Sequence, residues 1–81
     1  MSELVKYFVV LPFSVNKHGR LVPGNPRETT SENEAIRLAQ RHSHAVAFYR
    51  TGDATTGDWD DAVIIKTVGP IPASIIEAMA A

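Results

Sequence analysis

Apolar and polar residues change rhythm several times along the chain, and each rhythm fits one kind of element. Residues 4–11 are apolar in both phases of an alternation: Val5, Tyr7, Val9 and Leu11 on one side, Leu4, Phe8 and Val10 with Lys6 on the other. A strand covered on both faces, or central in its sheet, reads this way. The text then turns polar, SVNKHGRLVPGNPRETT, where Asn16 to Gly19 can reverse the chain and return Arg20 to Val22 as a short strand. Pro23 and Pro26 restrict further pairing to a sheet edge, because proline donates nothing to a ladder.

A helical period begins after Ser31-Glu-Asn-Glu34, a capping box in which the serine hydroxyl accepts from the Glu34 amide and the Glu34 carboxylate reaches back to the cap amide. Ala35, Leu38, Ala39 and His42 follow on one stripe, widened by Ile36, with acids in the first turn and Arg37, Arg41 and His42 later. The spacing predicts a helix over about 32–43. Beyond it, AVAFYRT at 45–51 alternates, and DAVIIKTV at 61–68 has the Val and Ile content of a buried strand; the two are expected to pair as an antiparallel hairpin. Ile75, Ile76 and Met79 then mark a second helix, started by Pro72 at its first position or by Ser74 as cap with Glu77 behind it. At under three turns it is too short to be stable alone and must dock on the sheet or on a partner.

The order is therefore strand, loop, helix, strand, strand, helix. This predicts an α+β two-layer sandwich, a three- or four-stranded, largely antiparallel sheet with two helices on one face. In topology the order resembles a ferredoxin-like fold lacking its last strand, a resemblance that carries no functional residue and implies no activity. With 81 residues the chain suffices for a single small domain, 1–81, of modest stability. It has no cysteine, so neither disulfides nor thiolate chemistry supplement the core.

The N-terminal run LVKYFVVLPFSV is too short to span a bilayer, has only Lys6 before its apolar stretch and is broken by Pro12. It reads as a strand rather than a targeting segment, and the expectation is a cytoplasmic protein without membrane contact. A formal charge of −1 argues against a dedicated nucleic-acid binder. The distribution is less even than the sum. Residues 1–50 hold seven Lys or Arg against four acids, a balance of +3, whereas residues 51–81 hold Lys66 against five acids, a balance of −4. Such asymmetry, where the fold leaves it exposed, supports association.

Candidate chemistry concentrates in RTGDATTGDWDDA, residues 50–62, where Asp53, Asp58, Asp60 and Asp61 surround the sole tryptophan, Trp59. Strands ending at Thr51 and beginning at Asp61 leave nine residues between them, long for a hairpin. Alternatively the strands extend, with Thr55-Thr56-Gly57 forming a turn closed by a left-handed glycine; Phe48 then lies opposite Ile64, and Arg50 near Asp60, Asp61 and Ala62. Four carboxylates could in principle serve calcium, but Thr55 and Gly57 stand where an EF-hand loop needs oxygen ligands, and no glutamate closes it. His42 and His44 form an H-x-H without a third ligand nearby. No metal site and no cofactor is predicted. Neither a nucleophile elbow nor a phosphate-cradling loop occurs.

These readings converge on a non-catalytic protein-interaction module, its partner another protein or a second copy of itself. Asp53, Asp58, Trp59, Asp60 and Asp61 are the expected contact surface; Trp59 is expected to fold back over the sheet or core edge, and where exposed it anchors an interface. Two alternatives remain open. The basic loop 17–27, with Lys17, His18, Arg20 and Arg27 near Tyr7, Phe8 and Phe13, suits weak single-stranded nucleic-acid binding. A metal-dependent activity at the acidic hairpin is the other.

Overall fold

The computed structural model describes residues 4–53 and 55–80. Six strands and two helices follow one another: β1 (Leu4–Val15), β2 (Leu21–Pro23), β3 (Arg27–Thr29), α1 (Glu32–Ala39), β4 (Ala45–Asp53), β5 (Asp58–Trp59), β6 (Val63–Val68) and α2 (Ala73–Ala80). The strands form one curled antiparallel sheet, six segments where three or four were expected. The increase comes from interruption rather than from extra width. On one side of β1 lie β2 and β3, pairing Phe13 with Pro23 and Phe8 with Thr29; on the other lies β4, from Leu4 opposite Asp53 to Pro12 opposite Ala45. The outer edge of β4 carries β6 and β5 in turn. Four ranks of backbone thus contain six strands.

Pro12 explains one interruption. A proline in a central strand leaves a ladder donor missing. Here the Pro12 carbonyl accepts from Gly24 N at 2.7 Å, in the gap between β2 and β3, so the ring nitrogen faces the one stretch where no ladder bond is called for. β3 itself was not anticipated, because Arg27-Glu28-Thr29 has neither alternation nor strand composition; pairing with Phe8 to Val10 creates it.

Both β3 and β4 run antiparallel to β1, hence parallel to each other with β1 between them. The unit β3–α1–β4 is a split β-α-β, and α1 crosses over β1. This differs from the ferredoxin-like expectation, in which the 61–68 strand would lie between the first strand and the 45–51 strand; here β4 pairs with β1 directly and β6 lies on the outer edge of β4. Ser31 caps α1 as expected, its hydroxyl accepting from Glu34 N at 3.2 Å. The Glu34 carboxylate goes one residue further than a capping box, accepting from the amide (3.1 Å) and hydroxyl (2.6 Å) of Thr30. Those bonds, the side-chain one foremost, hold the Glu34 carboxyl below its ordinary range. The helix ends at Ala39, not near 43: Arg41 and His42 donate to Leu38 and Ala39 carbonyls three residues back, a tightened exit that brings the chain round to Ala45.

One face of the sheet is packed by α1. Val10, Ala35, Ala39, Ala45 and Ala47 are fully buried there, with Phe8, Leu38, Ile65 and Val68 against them. Alanine on both surfaces lets helix and sheet approach closely. A bulge at Ala47–Phe48 turns Ile65 toward this core. β6, read as a buried strand, is an edge strand with Val63, Lys66 and Thr67 exposed. The second helix begins at Ala73, and Pro72 precedes it as cap, its carbonyl accepting from Ile75 and Ile76; neither of the two expected starts is used. Among the described residues α2 adds no side chain to the α1 core and makes no extended contact with any strand; its Ile75 lines a groove with Val15, Leu21 and His44. No helix among the described residues is long and apolar enough to cross a membrane.

Candidate functional site

The acidic segment extends the hairpin rather than forming a free loop. β4 continues to Asp53, the chain reverses through Thr55, Thr56 and Gly57, and β5 resumes at Asp58, with Gly52 opposite Trp59. Gly57 has φ of 79° and donates to the Asp53 carbonyl at 2.8 Å, the left-handed closing residue that the sequence anticipated. Asp53 is 8% exposed, and its Oδ1 accepts from the amides of Thr55 (2.9 Å) and Thr56 (3.4 Å). Its carboxylate is thus occupied in shaping the turn. Asp58 is exposed, an oxygen of its carboxylate accepting from the Thr56 hydroxyl at 3.1 Å, and Asp60 and Asp61 are exposed beyond it. Of the five residues grouped by sequence, four lie at the surface of this end of the sheet and one is inside it.

Trp59 is seated against the sheet. A Cβ on Gly52 would run into the indole, so the ring lies directly on that glycine. Tyr7 packs beside it, the ring centroids 5.0 Å apart and tilted by 52°. Even so, Trp59 is 41% and Tyr7 37% exposed. Arg50, paired with Tyr7, donates from Nε to the Asp60 carbonyl at 3.2 Å and ties the connection down. Phe48 pairs with Ile64, as expected.

Strand alternation places Tyr7 and Trp59 on the face opposite α1, here termed the far face. The residues sharing it are Val5, Val9, Leu11, Phe13 and Val15 of β1, Val46, Phe48, Gly52 and the exposed Arg50 of β4, and Ile64 of β6. Phe13 and Val46 are buried, whereas Val5, Val9, Leu11, Phe48 and Ile64 are half-buried. Coverage therefore thins along the face toward the aromatic pair.

The basic candidates divide. Lys17, His18 and Arg20 are exposed on the β1–β2 turn, which Asn16 organises by accepting at Oδ1 from His18 N (2.9 Å) and Arg20 N (3.0 Å), with Gly19 at φ of 75°. Arg27 lies on β3 opposite Val10 and lines a groove with Leu38, Arg41 and His42. An adjoining groove against Glu28 and Glu34 adds Arg37. Arg27 thus belongs with Arg41 of the helix exit and Arg37 of α1, a grouping that follows from the pairing of β3 with β1. His42 and His44 line different grooves. Among the described residues no three His, Asp or Glu side chains are placed to hold a metal ion, and every buried side-chain nitrogen or oxygen has a hydrogen-bond partner.

The chain matches no protein-family model, and no curated protein or solved structure resembles it at a significant level. Function must be argued from the arrangement itself.

Proposed function

We propose that this protein is a non-catalytic association module that binds another polypeptide through the aromatic, acid-rimmed end of its far face. One observation carries the reading: Trp59 is held rigidly on Gly52 beside Tyr7 and is nevertheless 41% exposed, at the thinly covered end of an apolar sheet face. A large aromatic that is fixed before binding loses little entropy on contact, which is what an interface anchor requires. The exposed Asp58, Asp60 and Asp61 near it outnumber the exposed Arg50 beside Tyr7 and supply a polar rim that favours a basic counterpart. Support for nucleic-acid binding weakens because Arg27 is remote from the Lys17–Arg20 turn, leaving three cations or fewer at either place.

The test is co-purification with tagged protein. Alanine at Asp58, Trp59 and Asp60 together should leave the far-ultraviolet circular dichroism unchanged and abolish retention of any partner, whether a differently tagged copy or another chain. Undiminished retention would remove the assignment.

A further inference from the structure

Two parts of the molecule lack a counterpart within it. The Tyr7–Trp59 patch is one, at the Leu4 end of β1, where the 53–61 turn also lies. The other is α2, whose Ile75, Ile76 and Met79 are only half-buried and which departs near Val15, Leu21 and His44, at the opposite end of β1. Val15, Leu21 and His44 belong to the far face by register, since Val15 pairs with Leu21 and Phe13 N bonds to the His44 carbonyl. An apolar helix and an aromatic patch thus stand at opposite ends of one face.

Charge follows the same axis. Exposed Asp58, Asp60 and Asp61 outnumber exposed Lys6 and Arg50 at one end, and exposed Lys17, His18 and Arg20 mark the other. Twelve residues of β1 separate them, about 36 Å at the usual rise, along the long dimension of a molecule measuring 49 × 24 × 17 Å.

From this polarity we infer that the far face pairs with the far face of a second copy, antiparallel, so that α2 of each copy covers Tyr7 and Trp59 of the other. Two identical faces can meet about a two-fold axis lying in their common plane. An axis parallel to β1 would set aspartates against aspartates. One perpendicular to β1 sets the 58–61 turn of each copy against the 17–20 turn of its partner, and the charges choose it. The same operation brings α2 over the aromatic patch twice, and leaves the two sheets stacked with nearly aligned strands, the ordinary geometry of a β-sandwich. Four ranks of strands, the longest some 36 Å and the others shorter, offer on the order of 500 Å² per copy. That falls short of the roughly 800 Å² per partner of a standard interface, and the two crossing helices supply further area.

This inference rests on the association reading above and names its partner. Sedimentation equilibrium of the full chain should show a monomer–dimer equilibrium weakened by salt. D58K/D60K/D61K in one protein and K17E/R20E in another should each weaken the dimer about tenfold or more. Combining all five changes should restore affinity to within a few-fold, because the charges are exchanged rather than lost. All five positions lie on exposed surface, so the fold is not at risk. A chain that stays monomeric to millimolar concentration overturns the pairing, as does a dimer indifferent to the single-sided reversals. A monomer that retains a different protein through Trp59 would defeat the second copy alone; a monomer that retains nothing would defeat the association reading as well.

Discussion

The two faces of the sheet are made by the same strands and have opposite characters. On the α1 side the inward residues of β4 are Ala45 and Ala47, and a helix lies so close that both are completely covered. On the far side β4 presents Val46 and Phe48 and β1 presents Val5, Tyr7, Val9 and Leu11, larger residues of which only Val46 is completely covered. Side-chain size alone would place the whole core on the far face, where Val46 and Phe13 are buried and their neighbours toward Tyr7 are not. Small residues mark where the chain covers itself, and large half-exposed ones mark where it has surface left for something else.

Over-packing tests that contrast most severely. Ala47→Leu has to fit extra methylenes between β4 and α1 and should cost about 3 kcal/mol, a fall of roughly 15 °C in Tm for a chain of this size. Phe48→Leu, on the next residue but the other face, should cost under about 1 kcal/mol. Thermal melts of the pair that came out equal would show the faces to be equivalent. Truncation gives the next effect: Val10→Ala, fully buried, should lose about 2 kcal/mol, and Val9→Ala, half-buried, less than half of that, by urea unfolding.

Smaller changes refine the picture. Gly52→Ala puts a methyl where the indole rests and should unseat Trp59, costing about 1 kcal/mol and erasing its near-ultraviolet dichroism. Smallest is the Glu34 cap. Its carboxyl is depressed in the folded state below its ordinary value of 4.5, chiefly by the Thr30 hydroxyl and then by the Thr30 amide. The stability it lends is complete above the unfolded value and is lost as pH falls through the depressed folded one. In an NMR titration Glu34 should move back toward 4.5 on Thr30→Val; an unmoved midpoint would mean that the hydroxyl bond is not what lowers it.

What the sequence disclosed was local. The Asn16 and Gly57 turns, the Ser31 cap and the opposition of Phe48 to Ile64 all follow from residues within a hairpin or a helical turn of one another. What it withheld depends on distant chain. β3 has no strand signal of its own and exists because β1 has a vacant edge; β6 reads as buried because Val and Ile are equally at home beside an edge bulge. The contact residues were half legible. Trp59 and the exposed aspartates could be singled out by composition, but that Asp53 is spent on turn amides, and that Tyr7 joins Trp59, required the register of β1 against β4.

The split arrangement of β3, α1 and β4 around β1 also bears on how the molecule comes together. β1 precedes both of its long-range neighbours in the chain, and its ladder with β4 closes contacts as far apart as Leu4 and Asp53. Refolding should accordingly be governed by threading that middle strand between two later ones, on the millisecond-to-second scale of non-local topologies rather than the microseconds of a helical hairpin.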